Sequence, residues 1–262
     1  MTSTAGRVTR EKRGHLLLIG LDRVAKRNAF DLELLNDLCL AYGEFERDSE
    51  ARVALVFAHG EHFTGGLDLP NIGPLLAAGW QTPAGGCDPF GTFGGPRVSK
   101  PVLVAAQGYC FTIGIELMLA SDISLCTSDA RFAQMEVQRG IFPFAGATLR
   151  LPKIAGWGNA MRWLLTGDEF DAFEAQRLGL VQEVLASEEL MPRALWLAER
   201  IAAQAPLGIR ATLASARQVV NEGELAAARA LPAVAQRLLA SEDAQEGLQA
   251  MLERRPGAFK GR

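Results

Sequence analysis

The sequence predicts a layered α/β fold that is followed by a helical C-terminal part. Short apolar runs without helical period predict strands over 15–21 and 52–60, and a stretch of helical period predicts a helix over 31–46. Strands that alternate with helices pack as a sheet covered by helices. Residues 187–252 are instead rich in Ala and Leu and low in Gly, which predicts a series of amphipathic helices.

The other elements of the first half repeat this pattern. Residues 102–108 predict a third strand that ends at a glycine, and residues 122–132 predict two short strands around a Ser-Asp turn. Asp31 stands at the start of the helix predicted over 31–46, where a carboxylate suits the N-terminal dipole. The apolar stripe of that helix consists of Leu34, Leu35, Leu38, Tyr42 and Phe45.

Composition excludes several classes of protein. The chain has 262 residues, 48% of them apolar, and a net charge of −3, so intrinsic disorder is excluded and nucleic acid is not an expected partner. No run of about 18 uncharged apolar residues is present, so we expect no membrane span. The polar, basic N-terminus lacks the apolar region of a secretion signal, and we expect a cytoplasmic protein.

Residues 71–96 form an unusual segment between the predicted strands. They include seven Gly and four Pro among 26 residues, which excludes a long helix or a central strand. They also include Trp80, Phe90 and Phe93, which a passive linker seldom contains. We interpret the segment as a partly mobile flap over an apolar ligand; the alternative is a disordered surface loop.

The C-terminal helices carry apolar stripes that need a partner. One stripe consists of Ile209, Leu213, Ala216 and Val220, and Pro232 is expected to kink or end a later helix. These stripes pack either on the core or on another subunit. We therefore divide the chain into a core, 1–195, and a helical oligomerisation region, 196–262.

The cysteines and histidines predict no metal site. None of the four cysteines forms a CxxC pair, so we expect small buried thiols in a reducing compartment. His59 and His62 are three residues apart, but no cysteine or third histidine is close to them in the sequence.

A glycine-containing turn follows the second strand. Gly65 and Gly66 allow a tight turn, and Asp68 stands where a helix could begin. Such a turn leaves backbone N–H groups pointing one way, which is an anion-binding arrangement. A plain turn is the alternative.

Two glutamates are candidates for acid–base chemistry. Glu116 is the only charged residue between Lys100 and Asp122, and its neighbours are apolar. Such a carboxylate is expensive to bury unless it is paired, protonated or catalytic; the alternative is a solvent-facing helix residue. Glu136 follows the next short strand, so both carboxylates could face one cavity and share acid and base roles.

The order of six motifs resembles the crotonase superfamily, that of the enoyl-CoA hydratases and isomerases. The third motif, PVLVAAQGYCFTIGIELMLASDI, resembles the family signature, and HFTGGLDL is similar to its oxyanion loop. The six motifs lie at 26–30, 62–69, 101–123, 130–143, 164–184 and 241–262.

The resemblance implies a fold, a substrate and an assembly. The fold is a crotonase-like spiral of ββα turns with a C-terminal helical trimerisation region. The protein is then a homotrimer, or a hexamer built as a dimer of trimers. Its substrate is an acyl-CoA thioester of fatty acid metabolism. Coenzyme A is part of that substrate, and no separate cofactor or metal is implied.

The resemblance also implies how catalysis works. By motif position, the backbone N–H groups of Leu67 and Ile113 form the oxyanion hole for the thioester oxygen. Glu116 is the base toward water and Glu136 supplies the α-carbon proton, which favours hydration of a trans-2-enoyl-CoA. The alternatives are a double-bond isomerase or a hydrolase on the same oxyanion hole, or a non-catalytic acyl-CoA-binding homologue.

The remaining implied positions bind substrate or CoA, and the last two of them reach over from a neighbouring subunit. These positions are Lys26, Gly65, Gly66, Asp68, Gly114, Phe259 and Lys260. The chain departs from the family where Gly-Gly-Gly reads Thr112-Ile113-Gly114. The Ile113 amide can still donate, while its side chain narrows the acyl site and Phe144 adds an aromatic ring to the pocket wall.

Overall fold

A six-stranded sheet forms the centre of the protein, for which a computed structural model describes residues 5–262. The strands are β1 (Arg7–Arg13), β2 (Leu16–Asp22), β3 (Val53–Ala58), β4 (Val102–Ala106), β5 (Tyr109–Phe111), β6 (Ile123–Thr127), β7 (Arg131–Ala133), β8 (Glu169–Asp171) and β9 (Glu183–Leu185). The central sheet has the order β1-β2-β3-β4-β6-β9. Its first pair is antiparallel and all later pairs are parallel.

A second sheet of three strands, β5-β7-β8, stands beside the first. Strands β5 and β7 are parallel, and β8 is antiparallel to β7. Because β5 follows β4 and β7 follows β6 after a few residues, the chain passes repeatedly from the central sheet to the small one.

Helices cover both faces of the central sheet. They are α1 (Leu32–Arg47), α2 (Leu69–Ala77), α3 (Ile113–Ala120), α4 (Ala147–Ala155), α5 (Trp157–Thr166), α6 (Ala172–Arg177), α7 (Ser187–Ala202), α8 (Pro206–Glu222), α9 (Glu224–Leu239) and α10 (Glu242–Glu253). The stripe of α1 packs in the main core, and α7 buries Leu190, Ala194 and Ala198 against the opposite face. The parallel strands are therefore buried on both sides, which explains their continuous apolar runs.

The elements predicted in the first half are confirmed. The helix predicted over 31–46 is α1, and the Asp31 carboxylate accepts from the Leu34 amide at 2.9 Å as its N-cap. Strands β2, β3 and β4 occupy the three predicted apolar runs, and β6 and β7 are the two short strands around the Ser-Asp turn.

The segment 71–96, called here the Gly- and Pro-containing segment, is anchored to the core. Its first residues belong to α2, and Phe90 is completely buried. The Asp88 carboxylate accepts from the amides of Phe90, at 2.8 Å, and Phe93, at 2.6 Å. The alternative of a disordered surface loop is therefore wrong for the part around Phe90, while the mobility expected of a flap stays a prediction.

Pro232 does not end its helix, contrary to one of the two predicted outcomes. Helix α9 continues through it from Glu224 to Leu239. Proline removes one hydrogen bond of the helix, and α8 packs along α9.

The C-terminal helices differ in how they bury their stripes. Helix α7 lies on the sheet and spans the predicted boundary at 195/196, whereas α8 has no buried residue. Val220 and Leu239 are 62% and 75% exposed. The division of the chain into a core and an oligomerisation region at 195/196 stays a prediction. Residues 1–4 of the predicted core lie outside the described part. Within 5–262, no helix combines the length and apolarity needed to cross a bilayer.

Candidate active site

Two loops at the carboxyl ends of β3 and β4 run side by side. The amides of Phe63 and Thr64 donate to the carbonyls of Gln107, at 2.8 Å, and Tyr109, at 2.9 Å. The Phe111 amide returns a bond to the Thr64 carbonyl at 3.1 Å. These bonds bring the HFTGGLDL loop next to the first turn of α3, two segments that are about fifty residues apart in the sequence.

Gly66 is required where these loops meet. Its φ is +102°, and a Cβ at this position would lie 2.6 Å from Oγ1 of Thr112. Any side chain here would be strained and would separate the two loops.

In the first loop the amide of Leu67 has no acceptor in the described structure. The amides on either side are used, because Gly66 donates to Thr64 Oγ1 at 3.1 Å and Asp68 donates to the Phe30 carbonyl at 2.9 Å. Among the hydrogen bonds of residues 5–262, none uses the amide of Leu67.

The second loop leaves an amide free in the same way. Thr112 donates to the Ala133 carbonyl at 2.8 Å, and Glu116 donates to the Thr112 carbonyl at 3.2 Å. Ile113 lies between them as the first residue of α3, where a helix offers no carbonyl to the amide. The described part of the chain gives this amide no acceptor either. The loops thus carry an unsatisfied donor at each of the two positions that the resemblance assigns to the oxyanion hole.

Thr112 has the most unusual backbone of the site. Its φ of 49° and ψ of −107° belong to a region that favours glycine, whereas Ile113 keeps an ordinary negative φ. Oγ1 of Thr112 is buried and has no partner in the described structure. The strain therefore falls on the first residue of the altered glycine run, which sequence reasoning did not single out.

Thr112→Gly should raise the free energy of unfolding by about 1–2 kcal/mol. Glycine relieves the backbone strain and removes the unpaired hydroxyl, and these gains exceed its entropic cost. Urea unfolding measures the change. Thr112→Ala is the matched control, because it removes the hydroxyl and keeps the strained Cβ, and it should gain less. A glycine variant that is no more stable than the parent would contradict this account.

Glu116 is buried in α3, so the interpretation of a solvent-facing residue is wrong. It is 2% exposed, and its Oε1 accepts from the Ala147 amide at 3.0 Å. Burial raises the pKa of Glu116 to about 8, and the negative charge of Glu136 acts in the same direction. The bond from Ala147 opposes both effects by favouring the charged form.

Glu136 begins a 3₁₀ turn, Glu136–Arg139, and is 5% exposed. Burial raises its pKa to about 7. With its amide nitrogen facing the carboxylate, the buried side chain of Gln134 donates to the two oxygens of Glu136 at 2.9 and 3.1 Å. Burial thus raises the pKa of both glutamates toward neutrality, so that near pH 7 the pair can hold a proton, as acid–base chemistry requires.

A cavity of about 200 Å³ joins the loops to one of the glutamates. Its lining includes Gly65, Leu67, Thr112 and Glu136. Glu116 does not line this cavity but interacts electrostatically with Glu136. The predicted oxyanion position Leu67 and the predicted acid Glu136 thus meet in one space.

Asp68 and Gly114 have structural partners. The Asp68 carboxylate pairs with Arg23 at 2.8 Å, and Arg23 also pairs with the buried Asp31 at 2.9 Å. A Cβ at Gly114 would lie 2.5 Å from Cγ2 of Thr64, so this glycine allows the close approach of the two loops. Lys26 ends an exposed 3₁₀ turn, Val24–Lys26, next to the carbonyl of Arg27 that accepts from Gly65.

Phe259 and Lys260 lie away from this cavity in the single chain. They line a separate space of about 650 Å³ together with Arg52 and Lys100. The Phe259 carbonyl accepts from Arg52 at 2.7 Å. Their predicted reach into a neighbouring subunit stays a prediction.

Aromatic rings of the Gly- and Pro-containing segment approach the region after Glu136. The ring of Phe144 contacts that of Phe93 at 6.4 Å between centroids, and Phe93 contacts Trp80 at 5.3 Å. The segment therefore packs against the loop that carries Phe144, the ring predicted for the pocket wall.

Known proteins resemble the chain over almost its whole length. A family model described as enoyl-CoA hydratase/isomerase matches residues 11–262. Carnitinyl-CoA dehydratase of Citrobacter koseri is 37% identical over 96% of this chain and 97% of its own. Enoyl-CoA hydratase EchA19 of Mycobacterium tuberculosis is 30% identical over 96% of each chain.

Solved structures share the fold. The crystal structure of a probable enoyl-CoA hydratase/isomerase from Mycobacterium abscessus superposes with a TM-score of 0.96 and 48% identity, covering 98% of this chain and 100% of that one. That of enoyl-CoA hydratase from Mycobacterium tuberculosis H37Rv gives 0.88 at 29% identity, covering 98% and 99%. These likenesses confirm the predicted α/β fold class.

Proposed function

The chain belongs to the enoyl-CoA hydratase/isomerase family, and from that premise we propose that it adds water reversibly across the 2,3 double bond of a trans-2-enoyl-CoA. Membership confirms the resemblance to the crotonase superfamily and makes the chain an enzyme of that family. The observation that carries the proposal is the pair of buried glutamates with raised pKa values beside two loops that hold free amides.

In the proposed mechanism, the amides of Leu67 and Ile113 donate to the thioester carbonyl oxygen. Addition at the β-carbon moves negative charge onto that oxygen and forms an enolate. Fixed donors stabilise this charge without having to reorient, and each contributes about 3–4 kcal/mol in comparable sites. The N-terminus of α3, which begins at Ile113, adds its dipole to the same effect.

The two glutamates carry the protons. In the reactive form of the pair Glu116 is ionised, which the Ala147 amide and the charge of Arg150 favour, and Glu136 is protonated. Glu116 takes a proton from water as the water oxygen bonds to the β-carbon, and the electrons of the double bond move toward the thioester. Protonated Glu136 then gives its proton to the α-carbon, so that the pair holds as many protons afterwards as before. Dehydration follows the same steps in reverse, and the name of the Citrobacter relative describes a dehydration.

A substrate comparison tests this proposal. We expect the purified protein to hydrate crotonyl-CoA, with loss of the thioester enone absorbance and formation of a 3-hydroxyacyl-CoA. Conversion of a 3-enoyl-CoA without hydration of crotonyl-CoA would instead indicate an isomerase, and release of free CoA would indicate a hydrolase. Binding of acyl-CoA without any turnover would leave the non-catalytic alternative.

We also propose that the protein assembles as a homotrimer or as a dimer of trimers. The exposed apolar side chains of the C-terminal helices support this, since Val220, Leu239 and Met251 are 62%, 75% and 66% exposed in the single chain. Analytical ultracentrifugation measures the assembly, and a monomer at micromolar concentration would refute it. The cytoplasmic location expected from the sequence stays a proposal.

A further inference from the structure

We infer that Arg150 is a positioning residue for Glu116 and holds the backbone turn at 145–147 that fixes this carboxylate. The inference rests on the proposed function only for the role of Glu116 as a base. It concerns a residue of α4 that does not line the cavity described above.

The hydrogen bonds form a continuous path from Arg150 to Glu116. The guanidinium of Arg150 donates through Nη1 to the Ala145 carbonyl at 3.2 Å. Two residues later, the Ala147 amide donates to Oε1 of Glu116 at 3.0 Å. Arg150 thus holds one end of a short turn whose other end holds the carboxylate.

Gly146 allows the guanidinium to lie directly against this turn. Its φ is +118°, and a Cβ there would overlap Nη1 of Arg150. The guanidinium therefore occupies the space that a side chain would take, and the turn and Arg150 fit each other.

The same guanidinium also binds the Gly- and Pro-containing segment. Its Nη2 donates to the Phe90 carbonyl at 2.6 Å, and the Asp88 carboxylate fixes the amides around Phe90. Arg150 therefore joins the segment that packs beside Phe144 to the turn that holds Glu116.

The charge of Arg150 also acts on Glu116. The charged groups that act on Arg150 are Arg97, Glu116 and Asp88. Those that act on Glu116 are Glu136, which raises its pKa, and Arg150, which lowers it. Removal of the cation should therefore let Glu116 keep its proton to higher pH.

Arg150→Met removes both the bonds and the charge. We expect its kcat for crotonyl-CoA hydration to fall about tenfold to a hundredfold with KM changed less than about threefold, because misplacement of the base affects the chemical step. The acid limb of its kcat–pH profile should move to higher pH. Arg150→Lys keeps the charge without the forked donor, so its kcat should fall while its acid limb moves less. Lys153→Met, at an exposed position of the same helix, is the matched control and should change neither.

Two outcomes overturn the inference: an unmoved acid limb in Arg150→Met, or a rise in KM alone. If Arg150→Met does not fold, Arg150→Lys carries the test through its lower kcat, and an unchanged kcat in that variant refutes the inference. A failure of the proposed function is separate, because it appears as absent hydration by the parent protein. In that case carboxyl-¹³C NMR of glutamate-labelled protein still compares the pKa of Glu116 between the parent and Arg150→Lys. If both the titration curve and the chemical shift of the Glu116 carboxyl carbon are unchanged in the variant, the inference is rejected.

Discussion

Glu136→Gln should lower turnover of crotonyl-CoA at least about a hundredfold while acyl-CoA binding stays nearly unchanged. The amide has the size of the carboxyl group but cannot give a proton to the α-carbon. Because Glu136 lines the cavity and its pKa is raised to about 7, it is the acid that the substrate would meet near neutral pH. Steady-state kinetics measure the loss, and calorimetry with a non-reactive acyl-CoA measures the binding.

The matched control for this variant is Glu188→Gln, which removes an exposed carboxylate at the start of α7. Its turnover should equal that of the parent. Equal activity in Glu136→Gln and the parent would reject the role assigned to Glu136. A loss of binding as large as the loss of turnover would show that the substitution disturbs the cavity and not the proton transfer alone.

The sequence predicted most of the core because its signals are local. The period of the apolar residues in α1 and the glycine endings of the parallel strands depend on neighbours a few positions away. The candidate site followed from motif order, and the structure places Leu67 and Glu136 around one cavity. Their catalytic roles stay proposals.

What the sequence did not predict depends on contacts between distant segments. Nothing near Glu116 in the chain indicates that the Ala147 amide holds it, or that Arg150 holds the turn in between. The pairing of the buried Arg23 with Asp31 and Asp68 likewise joins three separate segments. Such partners become visible only when the fold brings the segments together.

Thr112 illustrates a different limit. The departure from Gly-Gly-Gly is visible in the sequence, and the sequence points to Ile113 because a β-branched residue is stiff. The structure shows that the unusual φ and ψ belong to Thr112, the residue before the free amide. A glycine run indicates that some position needs a glycine conformation, but it does not identify which position that is.

Glu116→Gln should stabilise the protein increasingly as the pH rises. Burial raises the pKa of Glu116 in the folded state to about 8, above the 4.5 of an ordinary glutamate. Between these values the folded state binds more protons than the unfolded state, so the stability of the parent falls as the pH rises through this window. Glutamine does not titrate, so the variant does not lose stability in this way as the pH rises. Its side-chain oxygen can still accept from the Ala147 amide.

The stability advantage of this variant should therefore be smallest below the ordinary glutamate pKa, grow through neutrality and level off above about pH 8. A rise on the order of 3–5 kcal/mol is expected across that window. Urea unfolding of both proteins at a series of pH values measures it. Glu136→Gln should show a smaller rise that levels off near pH 7, because its folded pKa is about 7, and exposed Glu188→Gln should show none. A flat or falling difference for Glu116→Gln would mean that the carboxylate is solvated in the folded protein, and a solvated Glu116 could not share a proton with Glu136 near neutral pH.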